Sequence, residues 1–110
     1  MAKFEIDYDE EFDDLFVYRK DKKAELSVNL GNFVIDATKN GQIVGIEVME
    51  ASSTLSDFIG TNITKSSLEK LEDATIHVNP KDNAIELALI LRPKNQEEKR
   101  VPMLLPAISA

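Results

Sequence analysis

The side chains best suited to chemistry lie in one short stretch and at one isolated position. Asp7, Asp9, Glu11, Asp13 and Asp14 crowd five carboxylates together near the N-terminus. Carboxylate oxygens are hard ligands, and such a set could hold calcium or magnesium. The helix–loop–helix calcium template is not met: Phe12 stands where that loop needs a glycine, and Tyr18 where it needs a bidentate glutamate. A paired-carboxylate hydrolase wants two acids at fixed separation on rigid elements, which consecutive loop acids do not offer. The expected reading is a solvated acidic loop, with a weak metal site or a contact for a basic partner as alternatives. No cofactor and no metal ligand is assigned.

His77 is the only histidine. A general base needs an orienting partner and a substrate within reach, and no G-x-S-x-G serine motif accompanies it. Its alternation with Ile76 and Val78 puts it on an outward face beside Thr75 and Asn79, as a surface or helix-contacting histidine. Gly31, Gly41, Gly45 and Gly60 are scattered and form neither a P-loop nor a G-x-G-x-x-G fingerprint. The chain has no cysteine, which excludes disulfides, thiolate nucleophiles and cysteine-held zinc. No catalytic residue is assigned.

Charge is distributed unevenly. The net charge is −7; residues 1–14 carry seven acids against Lys3, and the remainder is close to neutral. That field disfavours nucleic acid and anionic membranes and favours a basic partner. No apolar run reaches the roughly 18 residues of a membrane span. The acidic N-terminal stretch does not resemble a signal peptide, so a cytoplasmic location is the default expectation. At 110 residues with 43% hydrophobic content, one globular domain over 1–110 is expected.

The elements that would position these groups read as strands. In Phe33–Val48, two apolar and β-branched runs flank Asn40-Gly41, a strong hairpin signal. A two-residue turn there sets Ala37 against Val44, Ile35 against Ile46 and Phe33 against Val48 on one apolar face. Thr38 then faces Ile43, Asp36 faces Gly45 and Val34 faces Glu47 on the other. Upstream, residues 4–8, 14–19 and 25–30 alternate in the same manner. Gly31-Asn32 sets Leu30, Val28 and Leu26 against Phe33, Ile35 and Ala37. The KDKK turn sets Val17 against Leu26 and Leu15 against Val28, and the acidic loop sets Tyr8 near Leu15 and Ile6 near Val17. Even-numbered reversals keep every apolar partner on one face, and residues 4–49 read as a five-stranded antiparallel meander.

A short helical insertion follows at about 52–73. Ser52, Ser53 or Thr54 could cap a first helix through Leu55, Phe58 and Ile59, closed by Gly60. Thr64 or Ser66 could begin a second, with Leu68 and Leu71 at helical spacing. Three further strands are predicted: 74–79; Ala84–Arg92, apolar on both faces and therefore central; and Arg100–Leu105, where Pro102 implies an edge. The fold class is mainly antiparallel β (α+β), as one curled sheet or two packed sheets.

Three motifs carry a resemblance: Tyr8-Asp9-x-Glu11-x-x-Asp14-Leu15-Phe16-Val17; Gly31-x-Phe33-Val34-Ile35-Asp36 with Asn40-Gly41-x-Ile43-Val44-Gly45-Ile46-Glu47; and Ala51-Ser52. They resemble, in turn, the opening, the centre and the close of the YuzE-like family of small uncharacterised domains. The resemblance covers roughly residues 8–59. It implies a compact β-rich fold without an assigned activity, and an antitoxin or partner-binding role; the fifty or so C-terminal residues depart from the pattern.

Phe16, Tyr18, Val34 and Ile43 point away from the apolar face and form a second apolar stripe among Ser27, Asp36 and Glu47. Either the helices of 52–73 cover that stripe or another subunit does; helix cover is the expectation, since burying a large side chain is worth about 1.5–3 kcal/mol. The expected function is a non-catalytic protein-interaction domain, homodimeric or bound to another protein, through a strand edge or this apolar face. The alternative is a small-molecule-binding domain or minor hydrolase, with a pocket between helices and sheet and Asp36, Glu47 and His77 as polar anchors.

Overall fold

A computed structural model describes residues 3–106 of the chain. Five strands form the first sheet: β1 (Phe4–Asp9), β2 (Asp14–Arg19), β3 (Leu26–Leu30), β4 (Phe33–Ala37) and β5 (Ile43–Val48). Two short helices follow, α1 (Ala51–Ile59) and α2 (Lys65–Glu69). A three-stranded sheet completes the chain: β6 (Leu71–Pro80), β7 (Ala84–Pro93) and β8 (Lys99–Pro106). The predicted class, mainly antiparallel β with two sheets and a short helical insertion, is what the structure shows.

The order of the first sheet is β1-β2-β5-β4-β3, not a simple meander. The hairpin registers hold: Tyr8 with Leu15, Ile6 with Val17, Val28 with Ile35, and Ile35 with Ile46. The predicted pairs Val17–Leu26 and Leu15–Val28 do not form; Val17 lies opposite Ile46 and Leu15 opposite Val48. β2, β5, β4 and β3 thus make a Greek key, and the chain from Arg19 to Leu26 crosses the end of the sheet. Arg19 anchors the start of that crossing with a bidentate bond to Asp21, at 2.9 and 2.7 Å. The physical reason is burial. β5 is the most deeply buried strand of this sheet, and as a meander's last strand it would leave one backbone edge unpaired. Placed centrally, it is hydrogen-bonded on both sides.

The Asn40-Gly41 reversal also differs in detail. Gly41, at φ 84°, donates to the Thr38 carbonyl at 3.0 Å, and Thr38 donates to the Gln42 carbonyl at 2.9 Å. Lys39, Asn40 and Gly41 are therefore a three-residue loop, of the type that ends in a left-handed residue. An odd loop alone would invert β5. Pairing shifts from Ala37–Ile43 to Asp36–Gly45, so Val44 is an extra residue and the inward register recovers beyond it.

One core unites all the elements. Leu15, Val17, Ile35, Ile46 and Val48 from the first sheet meet Leu89, Val101 and Leu105 from the second. Leu55 of α1 and Leu68 of α2 belong to the same cluster, and Phe58 packs edge-on against Phe33, with ring centroids 5.7 Å apart. The helices therefore dock on the core side of the first sheet. The expectation that they cover the outer stripe is overturned, because Leu55 and Leu68 follow the larger apolar reservoir between the two sheets. The insertion is also shorter than predicted: Leu71 opens β6 instead of ending a helix. β7 is central and β8, with Pro102, is an edge, as expected.

Candidate functional site

The outer face of the first sheet is built by cross-strand rows. One row runs Asp7, Phe16, Glu47, Val34, Asn29, and the next runs Glu5, Tyr18, Gly45, Asp36, Ser27. At the end nearer α1, Asp9 faces Asp14. Phe16, Tyr18 and Val34 are half-buried, and no basic residue stands in these rows. At the opposite margin, Lys20 reaches Glu5 at 3.9 Å.

Ile43 does not belong to this surface. The three-residue loop sets Ile43 opposite inward-facing Ala37, where it is 4% exposed and part of the core. The stripe therefore comprises Phe16, Tyr18 and Val34, with Gly45 between Tyr18 and Asp36. A β-carbon at Gly45 would lie 3.3 Å from both the Tyr18 Cβ and the Val17 carbonyl oxygen. A side chain at this position would thus need β2 to give by a few tenths of an ångström.

Glu47 stands between Phe16 and Val34. Burial pushes its carboxyl above the ordinary carboxylate value, and the negative charges of Asp14 and Asp36 push it further. Asp36 accepts from the Ser27 hydroxyl at 2.6 Å. An apolar stripe with an electrostatically strained carboxylate at its centre would be relieved by an incoming cation.

The three predicted anchors are not brought together. Asp36 and Glu47 share the outer face of the first sheet, whereas His77 lies on the second sheet opposite Ala88. His77 borders an open depression of about 270 Å³ with Thr75, Arg92 and Arg100, where Asp73 and Glu98 balance the two arginines. Among the described residues, the depressions that His77 borders include neither Asp36 nor Glu47.

Within the acidic stretch, two carboxylates are committed to the fold. Asp9 accepts from the backbone of Glu11 and Phe12, at 3.0 and 3.2 Å, and Asp13 accepts from Tyr8 and Ser52. Burial would raise the Asp13 carboxyl, but hydrogen bonds from Ser52 and Tyr8 and the charge of Lys65 outweigh it, holding Asp13 below the usual range. The Tyr8 phenol is driven up by burial, by its bond to Asp13 and by the surrounding acids. Phe12, 68% exposed, was not singled out from sequence. Its signal was available: an aromatic residue with two acids on each side, in Glu10-Glu11-Phe12-Asp13-Asp14.

Residues 5–52 match the family model described as "Protein of unknown function (DUF2283)". An uncharacterized protein of Methanocaldococcus jannaschii is 33% identical over 96 residues, covering 84% of this chain and 78% of that protein. The chain belongs to the DUF2283 family. The matched DUF2283 segment contains the whole first sheet beyond Phe4 and closes at Ser52, the residue that binds Asp13. A Methanosarcina mazei protein bearing the name "Putative hypoxanthine phosphoribosyltransferase" is 27% identical over 92 residues, covering 82% of this chain and 70% of that protein. No solved structure matches the chain. Neither helix of this DUF2283 protein is long and apolar enough to cross a membrane.

Proposed function

We propose that this chain is a non-catalytic interaction domain whose outer sheet face receives a basic protein segment carrying apolar side chains. The observation that carries it is Glu47: a half-buried carboxylate with raised affinity for a proton, set between Phe16 and Val34 on a face that neither helix covers. Apolar residues of the partner would bury Phe16, Tyr18 and Val34, and a lysine or arginine would pair with Glu47 and Asp36. Exposed Phe12 among its acids extends the same chemistry to the neighbouring loop. A polyanion would meet like charge, so nucleic acid is disfavoured.

The YuzE-like resemblance over residues 8–59 supports a partner-binding, antitoxin-like role. The Methanosarcina mazei relative's name points toward purine phosphoribosyl transfer. Gly31, Gly41 and Gly60 serve turns or a helix end and Gly45 serves strand contact, so no glycine-rich phosphate cradle supports that reading here.

The test is capture of binding proteins with the wild-type chain and with Val34→Lys and Glu47→Lys variants. The expected result is a basic protein retained by the wild type, released by salt, and absent from both variants while their folding is preserved. A partner that is acidic, or that binds both variants equally, would overturn the proposal.

A further inference from the structure

Four strands end the two sheets: β1 and β3 in the first, β6 and β8 in the second. Natural edge strands usually carry devices against pairing with another chain, such as charges, prolines and bulges. β1 presents Glu5, Asp7 and Asp9 and lies alongside β6. β6 has an irregularity between Leu71 and Asp73 and ends at Pro80, while β8 contains Pro102 and Pro106. β3, Leu26-Ser27-Val28-Asn29-Leu30, has no charge and no proline.

Its free hydrogen-bonding groups can be identified. Gly31-Asn32 is a two-residue turn, so Leu30 and Phe33 exchange the bonds that close it. Alternation along the ladder makes Val28–Ile35 and Leu26–Ala37 the other hydrogen-bonded pairs. The N–H and C=O groups of Ser27 and Asn29 therefore point away from β4, and both residues are exposed. Read in either direction, the strand runs leucine, polar, valine, polar, leucine.

We propose that β3 is a self-association edge, pairing antiparallel with β3 of a second copy about a two-fold axis at Val28. Ser27 of each copy exchanges backbone hydrogen bonds with Asn29 of the other. Val28 meets Val28, and Leu26 meets Leu30. A two-fold interface needs such self-complementarity, and this five-residue strand supplies it in residue type as well as in backbone pattern. Leu26, Val28 and Leu30 are half-buried against the edge of the core, and pairing would join the two apolar faces on one side. Glu25 falls opposite Gly31, so no like charges meet. The carboxylate-rich outer face, in contrast, would repel its own copy. The result is a continuous ten-stranded sheet whose two outer faces lie on the same side. This inference concerns a second copy and stands independently of what docks on that face.

The experiment is light scattering on the full chain, with two kinds of variant. The expected mass of the wild type is twice 12.3 kDa. Asn29→Pro removes an outward-pointing N–H while leaving the β4 bonds, and is expected to give a single-chain mass with an unchanged far-ultraviolet circular dichroism spectrum. Since the chain has no cysteine, Val28→Cys is expected to form a disulfide-linked dimer on mild oxidation, because this non-hydrogen-bonded pair brings β-carbons to roughly 5 Å. Ser27→Cys, facing Asn29, is expected to remain largely unlinked. A wild type that stays at single-chain mass at the highest concentration measured would overturn the proposal. So would a dimer in which Val28→Cys links no better than Ser27→Cys. Should Asn29→Pro unfold, the comparison of the two cysteine variants decides.

Discussion

Asp13 and Ser52, 39 positions apart, form the tightest side-chain junction between the acidic loop and the helical insertion. The Ser52 hydroxyl donates to Asp13 Oδ2 at 2.6 Å, and its N–H lies 3.1 and 3.2 Å from the two carboxylate oxygens. Ala51 N–H donates to the Asp13 carbonyl at 2.7 Å. Residue Glu50, at the formal start of α1, is left-handed and makes no side-chain cap. The acceptor for the helix's free N–H groups thus comes from a distant loop. That is possible because β2 lies beside β5, which carries the residue after Asp13 and the residues before α1 along together.

Removing this acceptor should loosen α1. Asp13→Ala is expected to lower stability by about 1–2 kcal/mol, the range for losing a helix cap or leaving a donor unsatisfied. Tyr8→Phe, which deletes only the 2.6 Å bond to Asp13, should lower it by about 1 kcal/mol. Urea unfolding midpoints at neutral pH check both, and equal midpoints for Asp13→Ala and wild type would refute the cap.

Asp13 and Glu47 should act oppositely with pH. Asp13 sits below its ordinary value of 3.8, so its stabilisation is complete above that value and is lost as pH falls through the lowered one. Glu47 sits above its ordinary 4.5, so the folded state holds that proton more tightly. Stability therefore declines as pH rises from 4.5 through the raised value, then stays level. Glu47→Gln is expected to be more stable than wild type at pH 7 and to lack that decline. Unfolding midpoints across acid to neutral pH supply the measurement.

The docking side of α1 can be read from two truncations. Leu55 is fully buried, whereas Phe58 is 48% exposed despite its contact with Phe33. Leu55→Ala is expected to cost about 2–5 kcal/mol and Phe58→Ala distinctly less. Thermal denaturation of the pair is the check. The reverse order would place the helix on the wrong face.

Gly45 admits no side chain without adjustment. Gly45→Val should destabilise by about 1–3 kcal/mol through overpacking against Tyr18 and the Val17 carbonyl. Gly45→Ala should fall between it and wild type. A melting temperature unchanged in both variants would show that β2 yields freely there.

Much of this architecture was legible in the residues themselves. The alternation of Phe33, Ile35 and Ala37 with Val34 and Asp36 declares which side of the strand faces the core, and Gly31-Asn32 sets the β3–β4 register. Gly60 marks the end of α1, where it adopts φ 83° as a helix terminus favours. Pro102 announces an edge, and the doubly apolar run of β7 announces a centre. The acidic, partly apolar outer surface was also visible, in Phe16, Tyr18, Val34, Asp36 and Glu47.

Three matters were decided only in three dimensions. Parity assigns a face but not a neighbour, so β3 and β5 were equally acceptable beside β2 until the pairing of a deeply buried strand on both edges favoured β5. The cap of α1 comes from Asp13, which no local pattern links to Ser52. Ile43 turned inward because the loop has three residues, and one extra residue at Val44 restores the register beyond it. Side-chain alternation is a local property of consecutive residues and can be read from them directly. Strand order, remote caps and offsetting irregularities depend on the free energy of the assembled core, and that exists only once distant segments have met.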